Sequence, residues 1–173
     1  MILPAVSCGN GGNGREAFSP TSGIYEIMLK PGEWSVGEEF ESVSDKLNLV
    51  HDVSATLFYI ECYKKSALSD IGVSDVNGFI EHKQFIESLA EPVDRGEYKR
   101  DDLIDVAKKD MKGSAVRSGK RQTIYINSNI GEIIEEVVYF ETGDYFFTMK
   151  YGTFADRFDA AQKGANEILA YLK

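Results

Sequence analysis

The chain of 173 residues holds little of what most enzymes and export scaffolds rely on: two cysteines, two histidines, one tryptophan and four prolines. Cys8 and Cys62 cannot form a disulfide framework, and neither sits in a C-x-x-C or other metal-ligand spacing. His51 and His82 stand outside any H-x-x-x-H or H-E-x-x-H arrangement. Basic residues are also scarce, 19 against 28 acidic ones, for a formal net charge of −9. Such a field repels a phosphate backbone, so nucleic acid is not an expected partner. The densest basic stretch, Lys108, Lys109, Lys112, Arg117, Lys120 and Arg121, reads as a solvated helix end and loop, with an anion site as the alternative. No run approaches the roughly 20 apolar residues of a membrane span.

What is present suits a globular body. At 43% hydrophobic and 12% aromatic residues, a chain of this length buries roughly 70% of its unfolded surface and needs no metal or disulfide to hold it. The expected organisation is a flexible leader over residues 1–17 and one domain over 18–173. The leader contains Gly9-Asn10-Gly11-Gly12-Asn13-Gly14, too rich in glycine to hold one conformation. Before it, Ile2-Leu3-Pro4-Ala5-Val6-Ser7-Cys8 resembles the end of a bacterial lipoprotein signal, with Cys8 as the lipidated residue. Ala5 stands where that signal prefers leucine, and neither a charged start nor a full apolar run precedes it. Two readings remain: Cys8 as a lipid attachment site behind a trimmed signal, or Cys8 as an incidental residue of the tail.

Within the domain, Ile24–Leu29 reads as a strand ending at Lys30-Pro31-Gly32. Strands are expected over Trp34–Phe40, Leu47–Val53 and Ala55–Tyr63, as an antiparallel meander. Ser74 reads as the N-cap of a helix burying Val76, Phe79, Ile80, Ile86 and Leu89, and Glu91-Pro92 ends it. A shorter helix is expected from Asp101 or Asp102, burying Leu103, Ile104, Ala107 and Met111. Over Glu132–Glu141, Ile133, Val137 and Tyr139 share one face while Ile134, Val138 and Phe140 share the other, which marks a central strand covered on both sides. After Thr142-Gly143-Asp144, Tyr145–Tyr151 forms its hairpin partner. Asp156 then caps a helix with Phe158, Ala161, Ala165, Ile168, Leu169 and Leu172 along one stripe. The expected fold is an α/β (α+β) domain: an α/β/α sandwich around a largely antiparallel sheet.

This order of elements resembles the PsbP-like family, whose namesake is an extrinsic protein of photosystem II and whose relatives include a Ran-binding Mog-type protein and DcrB-type bacterial lipoproteins. The resemblance is carried by Phe18-Ser19, by Gly23-Ile24-Tyr25-Glu26-Ile27-Met28-Leu29-Lys30-Pro31-Gly32-Glu33-Trp34, by Tyr139-Phe140-Glu141-Thr142-Gly143-Asp144-Tyr145-Phe146-Phe147, and by the closing Ile168-Leu169-Ala170-Tyr171-Leu172-Lys173. It implies a non-catalytic binding or assembly protein with a protein partner, and for the bacterial relatives a lipid anchor at the envelope. The glycine-rich start does not match the docking segment of photosynthetic members.

Candidate chemistry is sparse. Cys62 ends the alternating run Thr56, Phe58, Ile60, Cys62 and reads as a small buried hydrophobe. Trp34, just past the Pro-Gly turn, reads as a plug over one end of the core, with a ligand-stacking platform as the alternative. His51 and Asp52 are adjacent on a strand and so point to opposite faces, which prevents direct pairing. His82 lies off the apolar stripe and reads as solvated. Glu135 and Glu136 are the anomalous members of the central strand, since a buried carboxylate needs a partner. Either the strand start emerges from under its helices, or a polar pocket lies between sheet and helix. Trp34, His51 and Glu135 are therefore the residues carried forward as pocket or surface candidates. No catalytic residue, metal ligand or cofactor is expected. The alternative function is a small-ligand binder using a pocket near Phe79–Leu89.

Overall fold

The computed structural model describes residues 10–11, 14–37, 45–89 and 97–173. Cys8, the end of the strand expected over Trp34–Phe40 and the Glu91-Pro92 helix stop lie outside the described residues. In chain order the elements are β1 (Asn10–Gly11), β2 (Arg15–Phe18), β3 (Ile27–Leu29), β4 (Trp34–Val36), β5 (Lys46–His51), β6 (Thr56–Lys64), α1 (Lys65–Ser69), α2 (Val76–Leu89), β7 (Glu97–Arg100), β8 (Ile104–Asp105), β9 (Ser118–Ser128), β10 (Gly131–Glu141), β11 (Tyr145–Phe154) and α3 (Phe158–Tyr171). Short 3-10 turns at Lys108–Met111 and Ala155–Arg157 precede β9 and α3.

The large sheet runs β4-β5-β6-β11-β10-β9-β7, with β8 also on β9, and its pairings are antiparallel. β10 and β11 lie at its centre because both of their faces are apolar. Val138 and Phe140 of β10, with Phe147, Met149 and Tyr151 of β11, join the core under α3. Tyr139 and Phe146 point the other way and join Val76, Phe79 and Ile80 of α2. Phe79 stacks on Phe146 at 4.9 Å between ring centroids, and Phe140 stacks on Phe147 at 4.9 Å. The result is the expected α/β/α sandwich.

A smaller sheet, β1-β2-β3, completes the α3 side. β2 has no counterpart among the sequence expectations, and Ala17 and Phe18 on it are buried. Arg15, on the leader side of the boundary drawn at residue 18, is thus part of the folded body. The strand expected from Ile24 pairs with β2 only over Ile27–Leu29. Past it, Ile27 bridges Leu172, and the Glu26 and Lys173 backbones exchange two hydrogen bonds that tie down the last residue.

Four local expectations are corrected. The N-terminus of α2 is capped by Asp75, whose Oδ1 accepts from the Gly78 amide at 2.9 Å, not by Ser74. Ile86 and Leu89 of the same helix face solvent at 48% and 67% exposure, because past Ile80 the helix meets the sheet through polar side chains, Lys83 Nζ on Tyr63 Oη at 2.8 Å and Glu87 Oε1 on Lys150 Nζ at 2.5 Å. The segment from Asp101 forms β8 and a 3-10 turn in place of a helix. Val106 and Met111 are buried there and Ile104 is exposed, since edge pairing to β9 outweighs the helical charge pattern. Asp156 makes no side-chain cap; α3 is entered from a 3-10 turn and begins after Arg157.

α3 can sit this close because of Gly164. A β-carbon there would come within 3.2 Å of the Trp34 ring and of His51 Nδ1. Both rings are buried and hydrogen-bonded, so neither can yield cheaply. Gly164→Ala is expected to destabilise the fold by about 1 kcal/mol or more despite alanine's better helix propensity; an unchanged urea midpoint would show that α3 does not bear on those rings.

Candidate functional site

The face of the sheet under α3 gathers most of the polar side chains that sequence reading singled out. Trp34 and His51 are directly paired across β4 and β5, and their rings lie 4.5 Å apart. His51 Nδ1 and Ser54 Oγ share a 2.8 Å hydrogen bond inside the protein. Burial is the largest effect on His51 and lowers its pKa against the pull of Glu33, Glu167 and Asp52, so the ring is held neutral. Asp52 points outward and accepts from Ser35 Oγ at 3.3 Å. The alternation of β5 thus keeps it from pairing with His51, as expected. Trp34 packs on Phe58 at 5.4 Å between centroids, and Phe58 stacks on Tyr151 at 4.6 Å. Trp34 is therefore the expected plug in the core.

Glu135 does not join this group. It shares β10 parity with Val137 and Tyr139, so it belongs to the opposite, α2 face. Its neighbour Glu136 takes the place beneath α3, with no solvent exposure. The expectation that the strand start emerges from under its helices is corrected for this residue. Three donors meet its carboxylate: Tyr151 Oη at 2.6 Å, Gln162 Nε2 at 3.1 Å and Arg121 Nη1 at 3.4 Å. Arg121 Nη2 then donates to Asn166 Oδ1 at 2.7 Å. Burial and the adjacent carboxylate push the Tyr151 hydroxyl well above its ordinary pKa, which keeps it a donor. This knot links β9, β10, β11 and α3.

A second tie lies one turn further along α3. Glu167 Oε1 accepts from Arg15 Nη1 at 2.5 Å and from the Lys30 amide at 3.2 Å, while Oε2 accepts from Trp34 Nε1 at 3.3 Å. The Arg15 guanidinium also sits 3.5 Å above the Tyr171 ring and donates to the Met28 carbonyl at 3.3 Å. One carboxylate thus clasps β2, the turn before β4, and α3.

Arg121, Gln162, Asn166 and Glu167 were not among the sequence candidates. A signal existed for two of them: Gln162 and Asn166 are four apart, immediately beside the buried Ala161 and Ala165, and so share the edge of the apolar stripe. Cys62 is buried, and burial raises its thiol pKa to about 12, consistent with a packing role. His82 is half-buried. Among the described residues no group of three His, Cys, Asp or Glu side chains could hold a metal ion.

Two open surfaces among the described residues bear on binding. A shallow pocket of about 420 Å³ at the β7 end of the sheet is lined by Tyr98, Lys99, Tyr125, Asn127 and Glu132. Lys99 lies 2.9 Å from Asp101 and 5.4 Å from the Tyr125 ring centroid. On the α2 side, Phe79 and Ile80 are seated in the core, but Phe85, Ile86 and Leu89 turn outward.

The sequence matches no protein-family model, and no curated protein is significantly similar to it. Solved structures are informative about the fold. The solution structure of cyanobacterial PsbP (CyanoP) from Synechocystis sp. PCC 6803 aligns over 99% of both chains with a TM-score of 0.51 at 14% identity. The fold is PsbP-like. A crystal structure from Bacteroides thetaiotaomicron VPI-5482 aligns over 90% of this chain with a TM-score of 0.54 at 16% identity. That alignment covers 46% of the Bacteroides chain, so this protein spans about half its length.

The buried neutral His51 carries a pH signature. Its lowered folded-state pKa means that its contribution to stability is complete above the unfolded value of about 6.5 and is lost as pH falls toward and through the folded value. Denaturant melts between about pH 7.5 and pH 5 are expected to show a smaller acid-side loss in His51→Gln than in wild type. Identical losses would mean that His51 does not titrate with unfolding.

Proposed function

We propose that this chain is a non-catalytic binding or assembly protein of the bacterial envelope, tethered by lipid on Cys8, in the manner of the DcrB-type relatives. The observation that carries the binding reading is the outward apolar edge of α2. Phe85, Ile86 and Leu89 are 59%, 48% and 67% exposed. Spacings of three and four residues to Leu89 make them neighbours on one helical face. Contiguous apolar surface of this kind marks interaction sites, and a protein partner is the reading it favours. The polar groups nearest to chemistry are engaged inside the protein instead: Glu136 and Glu167 are bonded within the fold, and His51 is held neutral under Gly164. Among the described residues no helix is long and apolar enough to cross a membrane. A lipid on Cys8 followed by the glycine run supplies attachment without one.

A second reading, binding of a small ligand, is favoured by the pocket of about 420 Å³ beside Tyr125, a volume within the range usual for ligand sites. Its place at the β7 end of the sheet differs from the α2 position expected from sequence.

One experiment addresses both parts of the main reading. The full-length precursor is expressed with a labelled fatty acid and a photo-crosslinking residue at Phe85. The expected result is lipid label that is lost in Cys8→Ala, together with a discrete crosslinked protein that is absent when the crosslinker replaces exposed Asp159. Label that persists in Cys8→Ala sinks the tether, and equal crosslinking from both positions sinks the α2 interface.

A further inference from the structure

The two ends of the sandwich differ in charge. One end is formed by the close of β6, the β10–β11 turn, the approach to β9 and the C-terminus of α3. It carries Lys64, Lys108, Lys109, Lys112 and Arg117, all exposed. Their neighbours Lys65, Lys120 and Arg121 are engaged with Glu141, Asp105 and Glu136. Those five make no ion pair among the described residues. Exposed carboxylates at this end, Asp70, Asp105 and Asp144, are fewer, Asp105 is taken up by Lys120, and Asp110 is half-buried. The opposite end, where α3 begins and β5 turns into β6, bears Asp52, Glu132, Asp156 and Asp159 against Arg157 and Lys30, the last paired with Glu33. A protein of net charge −9 is thus polarised along its strands.

The lysine turn is held in place. Met111 is buried in the core under α3, and the 3-10 turn Lys108–Met111 packs against that helix. The Ala115 amide then bonds the Leu172 carbonyl at 2.9 Å. Cations beside a helix C-terminus complement its dipole, but Lys64 and Arg117 lie off that helix. The basic end is therefore more than a helix cap.

The direction of β1 also bears on this end. β1 pairs antiparallel with β2 so that Gly11 lies opposite Arg15 and Asn10 opposite Glu16. Going back toward the N-terminus, β1 therefore advances along β2 from Arg15 toward Phe18. Phe18 pairs with Ile27, and Ile27 bridges Leu172. β1, followed back from Gly11 to Asn10, and the unpaired lysines both point to the C-terminal end of α3.

We infer that this end, centred on Lys108, Lys109 and Lys112, docks on the anionic phospholipid headgroups of the membrane. The inference rests on the lipid-tether reading for its setting and adds an orientation to it: basic end toward the bilayer, acidic end and the α2 edge away from the lipid. Charge complementarity selects the partner. Several unpaired Lys and Arg side chains spread over one end suit a laterally continuous anionic surface. No enclosed cradle for a single phosphate is present among these described residues.

The test uses Cys8→Ser protein, so that attachment by lipid plays no part. It is mixed with vesicles rich in phosphatidylglycerol or with vesicles of phosphatidylcholine alone, and sedimentation measures the bound fraction. Binding to the anionic vesicles is expected, with loss at high ionic strength. Lys108→Glu/Lys109→Glu/Lys112→Glu is expected to weaken it about tenfold or more, and Asp156→Asn/Asp159→Asn to leave it in place. Because the three lysines are exposed the variant should fold, as circular dichroism will show, and a triple Lys→Gln variant repeats the test without added acid. Equal binding to both kinds of vesicle, no binding to either, or undiminished binding by both lysine variants would overturn the docking surface. Displacement by inorganic phosphate at low ionic strength would reassign it as a site for free anions. Anionic-vesicle binding without Cys8-dependent labelling would leave the surface standing and remove the tether; the reverse would remove the surface alone.

Discussion

A carboxylate without solvent contact lies at the middle of the sheet, and the position of α3 follows from how that carboxylate is satisfied. Glu136 projects from β10 among apolar neighbours, where an unpartnered charge would cost several kcal/mol. Tyr151 and Arg121 reach it from the flanking strands and Gln162 reaches it from the helix. Asn166 then holds the outer edge of the Arg121 guanidinium. Apolar packing alone would let α3 slide along Phe147, Met149 and Tyr151. The polar knot specifies one position, and Gly164 allows the approach that this position demands.

The same helix closes the other side of the molecule through Glu167. Its oxygens accept from Arg15, Lys30 and Trp34, so the small sheet and β4 are tied to the helix that Glu136 positions. The sandwich is asymmetric in consequence. The α3 face is sealed by buried polar ties at successive turns, whereas α2 seats Phe79 and Ile80 at its start, reaches the sheet farther on through Lys83 and Glu87, and leaves Phe85, Ile86 and Leu89 open. Binding through α2 therefore need not disturb the core, and the basic end opposite the start of α3 stays available to a second surface.

The central strands and α3 were legible in the sequence because their signals are local: two apolar faces on Glu132–Glu141, a Thr-Gly-Asp turn, and a stripe of period 3.6. What failed depends on partners distant in sequence. The identity of the buried carboxylate turned on strand parity, which places Glu136 under α3 and Glu135 on the α2 face. No local rule reveals that Arg121 and Gln162 await it. The segment after Asp101 carries the charge asymmetry of a helix, yet edge pairing with β9 claims it. Ile86 and Leu89 keep the helical pattern, but the turn they belong to meets the sheet through Glu87 on Lys150 and leaves both apolar side chains to solvent. β2 escaped notice because Arg15–Phe18 is short and only pairing with β3 makes it a strand. The candidate site was thus half legible: Trp34 and His51 were found, while the residues that organise their surroundings were not.

The central claim is that Glu136 and Arg121 act as one unit that fixes α3 to the sheet. A double-mutant cycle in equilibrium urea unfolding tests it directly. If the claim holds, Arg121→Met alone costs about 3–5 kcal/mol, because it strips the buried carboxylate of its cation. Adding Glu136→Met then restores part of that loss, giving a coupling of at least about 1.5 kcal/mol. Strictly additive costs would contradict it, and would mean that apolar packing alone holds the helix in place.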